Sequence, residues 1–171
     1  MRRVAIVATA SSCGKTTLGR ELARRLDVPF VELDAIHHGP NWTELSAEDF
    51  RAKVEPLVAK EAWVIEGGYW AKLGDLVLRK ADVVVWLDLP IRVWLPRLVR
   101  RTLSRIIRRE ELWHGNRETV RNVFFSRNSL IWYALTNHPR HRRDYPARLA
   151  AYNAVRLRTP KEVTLWLARF G

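Results

Sequence analysis

Cysteine is nearly absent from this chain: Cys13 is the only one in 171 residues, so no internal disulfide can staple the fold. Acidic residues are scarce as well. Eighteen Asp plus Glu stand against thirty Lys plus Arg, a net charge of +12. Such a surface attracts polyanions, whether nucleotides, nucleic acid or acidic membrane, and charge alone does not choose among them. Long apolar runs are missing. The run from Val4 to Ala10 is too short for a signal h-region with a cleavage site, and nothing later approaches a bilayer span. Secretion and membrane insertion are therefore disfavoured, no membrane partner is expected, and the cytoplasm is the expected compartment. There is no repeat, low-complexity tract or Pro/Gly linker, so residues 1–171 read as one domain, and 47% apolar composition is enough for a buried core.

What is present is an alternation of strand and helix signals. Val4-Ala-Ile-Val-Ala8 is a short, β-branched run, the pattern of a strand buried on both faces. From Lys15 to about Leu26, apolar residues recur at Leu18, Leu22 and Leu26, the stripe of an amphipathic helix. Pro29 to Leu33 reads as a second strand ending at Asp34. Ser46 opens a helix through about Lys60, with a capping-box-like start. Trp63 to Ile65, Asp82 to Leu87 and Ala154 to Leu157 read as three more strands, and an Arg-rich helix is expected from about Ile91 to Glu111. Thr159 as N-cap, Pro160 at the first helical position and Glu162 mark a last helix. This order predicts a three-layer α/β fold on a five-stranded parallel sheet. Residues of about 100–148, irregular and strongly basic, read as a helical lid.

Between the first strand and first helix lies Thr9-Ala-Ser-Ser-Cys-Gly-Lys-Thr-Thr17, which matches G-x-x-x-x-G-K-[ST] except that Thr9 stands at the first glycine. Such a loop wraps backbone N–H groups round phosphates, brings a lysine to the β- and γ-phosphates and offers a hydroxyl to Mg2+. Ser11, Ser12, Cys13, Gly14, Lys15, Thr16 and Thr17 are thus the candidate ATP cradle, with Thr16 the candidate Mg2+ ligand. If the loop needs positive φ at Thr9, strain of about 1–2 kcal/mol is expected. Cys13, at a helix N-terminus beside Lys15, is expected to have a stabilised thiolate and alkylation-sensitive ATP binding.

Together with Asp34, Trp63-Val-Ile-Glu-Gly-Gly68 and Trp86-Leu-Asp-Leu-Pro90, this loop resembles adenylate-kinase-like P-loop proteins, nearest to the branch labelled topology modulation proteins. Gly39-Pro-Asn-Trp42, Gly115-Asn-Arg-Glu118 and Leu157-Arg-Thr-Pro-Lys-Glu162 extend the likeness nearly end to end. The resemblance implies a P-loop NTPase fold with a basic lid and ATP with Mg2+ as cofactors. It puts Glu66 where an acidic residue holds Mg2+ through water, and Arg97 and Arg101 where a pair covers adenine and reaches the phosphates. It also sets Thr159 and Pro160 against the other side of the adenine. Arg105, Arg108 and Arg109 become lid candidates, with Arg117 and Arg121 beyond them.

The acceptor side departs from nucleoside monophosphate kinases, which clamp a phosphate with arginines after the second and third strands. Here those regions read Asp34-Ala-Ile-His-His38 and Glu66-Gly-Gly-Tyr-Trp70. Lys72 or Arg79 would have to compensate. Asp34 instead resembles the aspartate of P-loop kinases that phosphorylate small-molecule hydroxyls, such as those acting on shikimate, gluconate or chloramphenicol, where it takes the hydroxyl proton. The expected catalytic set is Asp34, Lys15, Arg101 and Arg105; Asp34, His37, Trp42, Glu66, Gly67 and Trp70 are expected around the acceptor. Trp42, Trp70, Trp113 and Trp132 offer rings for stacking a flat acceptor. Two alternatives stay open: a nucleoside monophosphate kinase with relocated arginines, and a nucleotide-regulated DNA-associated protein. The chain is expected to act as a monomer or homodimer.

Overall fold

The computed structural model describes residues 1–118 and 130–170. Arg121, one of the lid candidates, lies outside the described residues. Five strands form one parallel sheet in the order β2-β3-β1-β4-β5: β1 (Arg3–Ala8), β2 (Phe30–Glu32), β3 (Trp63–Glu66), β4 (Val83–Leu87) and β5 (Ala154–Leu157). All residues of β3 and β4 are buried, as expected of central parallel strands covered on both faces.

Helices cover both faces. On one, Leu18 and Leu22 of α1 (Lys15–Leu26), Trp94 and Leu98 of α6 (Ile91–Arg108) and Trp166 of α8 (Pro160–Leu167) pack against Val4, Ile6, Val83 and Val85. On the other, Phe50, Val54 and Val58 of α3 (Ala47–Val58) and Tyr145 and Leu149 of α7 (Leu130–Leu149) pack against Ala5, Val7, Ile65 and Val84. The short helices α4 (Trp70–Leu73) and α5 (Leu76–Lys80) join this second layer. Removing a large buried ring such as Trp94 or Phe50 should cost about 3–5 kcal/mol.

The helix caps follow the sequence closely. The Ser46 hydroxyl accepts the Asp49 N–H at 3.0 Å and the Thr159 hydroxyl that of Glu162 at 3.1 Å. Two expectations fail. The second strand stops at Glu32, and Asp34 belongs to a one-turn helix, α2 (Leu33–His37). The expected lid of residues 100–148 is also too large: Tyr145 of α7 is buried and donates its hydroxyl to Ala8 O at 3.3 Å, while His141 meets Thr9 O at 3.1 Å. Arginine-rich sequence hid the apolar stripe of Ala134, Tyr145 and Leu149, which ties α7 to the core.

Among the described residues no helix is long and apolar enough to cross a membrane. In a parallel sheet every strand delivers its C-terminal end to the same edge, so β1, β2 and β3 bring residues 9–17, Glu32 to Asp34 and Glu66 together there.

Candidate active site

A large cleft opens at that edge. One part is lined by Ser11 to Leu18 and by Pro160, Val163, Thr164 and Leu167 of α8; another by Asp34, His38, Trp42 and Trp113, with Arg97, Arg101 and Arg105 of α6 along it.

The loop before α1 bends at residues other than Thr9. Ser12 (φ 60°) and Gly14 (φ 94°) are left-handed, whereas Thr9 is absent from the positive-φ residues. The strain expected at Thr9 is therefore not there. Thr9 is buried, its N–H donates to Leu87 O at 3.1 Å, and its hydroxyl contacts the same oxygen at 3.3 Å. The Cys13 expectation also needs correction: the side chain points into the core, and burial pushes the thiol up despite the backbone of Ala10 and the Lys15 ammonium.

Lys15 and Thr16 converge on Glu66. Lys15 Nζ lies 3.6 Å from Glu66 Oε2, and the Thr16 hydroxyl donates to Glu66 Oε1 at 2.6 Å. Burial pulls the Lys15 ammonium down, but the Glu66 and Asp34 carboxylates outweigh it and hold its pKa above the ordinary lysine value. Glu32, beside Glu66 in the β2–β3 register, joins this group and lines the cleft, where burial and the Glu66 and Asp34 carboxylates push it up against Arg20 and Lys15. Sequence reading missed Glu32; its signal was the i, i+2 spacing from Asp34 at a strand end.

The fit to Mg2+ can be tested on these donors. Glu66 Oε2 is buried without a hydrogen-bond partner, and a hydroxyl with two neighbouring carboxylates is a hard-oxygen set of the kind Mg2+ takes. Thr16, Glu66 and Glu32 therefore fit the ion.

Asp34 faces the cleft, and Tyr69, from the turn after β3, donates its hydroxyl to Asp34 Oδ1 at 2.6 Å. Burial and that carboxylate hold the phenol proton above the ordinary tyrosine range. Tyr69 is wedged edge-on against His37 and Phe50, with ring centres 4.7 and 5.0 Å away. The turn beneath it is tight: Gly67 has φ 140°, its N–H donates to Ile6 O at 3.1 Å, and a Cβ there would lie 2.8 Å from Leu33 Cβ. Gly67 thus sets the exit from β3 without lining the cleft.

On α6, Arg97 is exposed and Arg101 half-buried, and both line the cleft. Burial, then the neighbouring Arg105, pulls the Arg101 guanidinium below its usual value, and its Nε has no partner. Arg105 is bound to Glu118 at 3.0 Å and approaches Glu110 at 3.7 Å. Arg117 lines the cleft in an ion pair with Glu111. Arg108 lies on the outer face of α6 with Leu103 and Ile107, and Arg109 closes the helix in a left-handed conformation, so neither joins the cleft lining.

Three acceptor-side expectations move. His37 is buried, 3.3 Å from both Glu44 and Lys72, and burial and the Lys72 ammonium pull its imidazole below the ordinary histidine value; His38 lines the cleft instead. Trp70 lies tilted against Tyr145, ring centres 5.8 Å apart, under Arg148 and on the other face of the sheet. Lys72 and Arg79 are paired with Glu44 and Asp75. Trp42 and Trp113 do line the cleft, whereas the exposed Trp132 does not. At the other end Pro160 lines it, while the Thr159 hydroxyl caps α8.

A shikimate kinase family model matches residues 11–50, from the phosphate loop to α3. No curated protein matches the chain in sequence. Solved structures of similar shape include a shikimate kinase from Acinetobacter baumannii in complex with shikimate (17% identity, 99% of this chain and 90% of that one, TM-score 0.59). A gluconokinase from Sinorhizobium meliloti 1021 (18%, 98% and 92%, TM-score 0.55) and a deoxyadenosine kinase from M. mycoides with bound dCTP (10%, 98% and 97%, TM-score 0.52) are others. The sheet, its flanking helices and the phosphate loop are therefore those of the P-loop kinase fold.

Proposed function

We propose that this chain is an ATP-dependent phosphotransferase that moves the γ-phosphoryl group of Mg·ATP to a hydroxyl of a small molecule, with Asp34 as the base. The observation that carries the reading is Asp34 at the junction of the cleft, one oxygen held by Tyr69 at 2.6 Å and the carboxylate close enough to Lys15 to help hold its pKa above the ordinary lysine value. A carboxylate held from one side presents its other oxygen to an acceptor proton.

In the proposed reaction the N–H groups of residues 11–17 and the Lys15 ammonium bind the polyphosphate, with Pro160 against the adenine. Asp34 takes the acceptor hydroxyl proton as that oxygen bonds to the γ-phosphorus. The bond from the γ-phosphorus to its bridging oxygen breaks, and ADP leaves. Arg101, its Nε unpartnered, and Arg97 supply charge to the transferring group. Thr16, Glu66 and Glu32 would hold Mg2+, which would supply positive charge against the polyphosphate.

The same proposal covers residues 1–171 as one kinase unit of cytoplasmic location, monomeric or homodimeric, within the topology modulation branch of the adenylate-kinase-like proteins. Nucleoside-like compounds and hydroxylated antibiotics are the acceptor classes it admits. A DNA-associated role rests on the net charge of +12 and on the name of the topology modulation branch. A monophosphate-kinase role would need free acceptor-side cations, and Lys72 and Arg79 are already paired.

The test is ADP release and 31P NMR over nucleosides, nucleotides, sugars and hydroxylated antibiotics. A phosphate ester formed with wild type and lost with Asp34→Asn supports the reading. Acceptor-dependent turnover that survives Asp34→Asn removes Asp34 from the chemistry.

A further inference from the structure

The acceptor end of the cleft is made from two turns locked to each other. In one, His38 and Glu44 pair across residues 39–43; in the other, Glu111 and Arg117 pair across residues 112–116. Each turn contains left-handed residues: Asn41 and Trp42 in the first, His114 and Gly115 in the second. The buried Asn116 fastens them, accepting the Trp42 N–H at 2.9 Å and donating to Gly39 O at 2.9 Å. His38 lies between two indoles, edge-on to Trp42 at 5.6 Å and tilted 19° from Trp113 at 6.0 Å. All three rings line the cleft.

The charges around this aromatic wall are unbalanced in one direction. Asp34, Glu110, Glu111 and Glu118 line this end, and its cations are already taken. Arg105 is held by Glu118 and Glu110, and Arg117 by Glu111. Lys72, behind the wall, is held by Glu44 at 2.9 Å and by Leu45 O at 2.9 Å. The Glu118 side chain is 8% exposed, and its Oε2 has no partner. Among the described residues lining the cleft, Arg97 and Arg101 form no ion pair, and the phosphotransfer reading assigns both to the phosphoryl group in transit. A carboxylate or phosphate on the acceptor would meet Asp34, Glu110, Glu111 and Glu118, and taking Arg105 for itself would strand the buried Glu118 carboxylate, a cost that discriminates against it.

We infer that the acceptor is a nucleoside-type planar ring compound that carries a hydroxyl and no negative charge, stacked on Trp42 and Trp113. This rests on the phosphotransfer reading. It separates the chain from two of the acceptors named for its structural neighbours, shikimate and gluconate, which are both carboxylates, but not from deoxyadenosine.

Matched pairs that differ only in charge test it. The full chain, loaded with Mg2+ and a non-hydrolysable ATP analogue at pH 8, where an ordinary imidazole is neutral, is titrated with ribo- and deoxyribonucleosides, their 5′-monophosphates, shikimate and gluconate. Calorimetry reads the binding. At least one nucleoside should bind about tenfold or more tightly than its monophosphate, with no uptake of shikimate or gluconate. Trp42→Ala and Trp113→Ala should each weaken that nucleoside about tenfold while leaving analogue affinity within about twofold. Glu118→Gln, which frees Arg105, should narrow the gap between nucleoside and monophosphate. A monophosphate, shikimate or gluconate that binds as tightly as the best nucleoside overturns the inference. So does the failure of every nucleoside to bind protein that takes up the analogue. Failure to bind the analogue itself strikes the phosphotransfer reading instead.

Discussion

Thr16 and Glu66, fifty residues apart in sequence, meet through a hydroxyl-to-carboxylate hydrogen bond of 2.6 Å. The contact joins the phosphate loop to the end of β3, and the Lys15 ammonium lies 3.6 Å from the other Glu66 oxygen. Glu66→Gln removes the charge that both Lys15 and a magnesium ion would answer to. Acceptor-dependent turnover should fall about 10²-fold and the half-saturating Mg2+ concentration should rise about tenfold. A Mg2+ titration of ADP release checks this, and an unchanged Mg2+ requirement would remove Glu66 from the metal set.

Tyr69 holds Asp34 by a single hydrogen bond, so the two residues should separate in a kinetic comparison. Asp34→Asn should reduce kcat by about 10³-fold or more with Mg·ATP affinity nearly unchanged. Tyr69→Phe keeps the ring packed between His37 and Phe50 but loses the donor, and should reduce kcat by about 10-fold to 10²-fold. Equal effects of the two substitutions would contradict a base with a positioning partner.

Two glycines should respond differently to alanine. Gly14 has φ 94° with open space around it, so Gly14→Ala should cost only the backbone term of about 1–2 kcal/mol. Gly67 has φ 140° and would also drive a Cβ to 2.8 Å from Leu33 Cβ, so Gly67→Ala should cost about 3 kcal/mol or more. Denaturant midpoints of the two variants measure the difference.

Cys13 should resist alkylation. Its thiol is buried and pushed up by that burial, so iodoacetamide at pH 8 should label native protein about 10²-fold more slowly than the unfolded chain. Labelling as fast as in the unfolded chain would mean that Cys13 faces solvent.

At the N-terminus, Asp82 accepts the backbone N–H groups of Arg2 at 2.7 Å and Arg3 at 3.0 Å, then the Arg3 guanidinium, and these bonds hold its carboxyl down to about 2. A depressed carboxyl contributes stability that is present above its unfolded value of about 3.9 and lost as pH falls toward 2. Asp82→Asn should therefore destabilise by about 1 kcal/mol at pH 7, a figure already discounted for solvent screening, and most of the difference from wild type should be gone near pH 2, the rest disappearing as pH falls below it. Urea unfolding at the two pH values provides the comparison.

The elements that were legible in sequence are those specified by local patterns. Val4 to Ala8, the Leu18–Leu22 stripe, β5 and the caps at Ser46 and Thr159 depend on periodicity and on residues two or three positions apart. The phosphate loop was readable for the same reason, although its left-handed positions, Ser12 and Gly14, could be assigned only from the folded backbone. Contacts between distant segments were not legible. Tyr69 meets Asp34 only through the fold, and the expectation that His37 faces the acceptor fails because α2 turns His37 inward and leaves His38 on the cleft. Glu32 was obscured by the same helix, which replaced the expected end of the second strand. Position in the chain predicts Trp70 at the acceptor, but α4 carries it to the other face beside Tyr145.

The most direct test is calorimetry of Mg·ATP with wild type and with Lys15→Met, each shown to be folded by circular dichroism. The Lys15 ammonium and the N–H groups of residues 11–17 should give one site per chain in wild type, weakened about 10²-fold or more when the ammonium is removed. Folded wild-type protein that takes up no Mg·ATP, or Lys15→Met that binds it as tightly as wild type, would contradict the account.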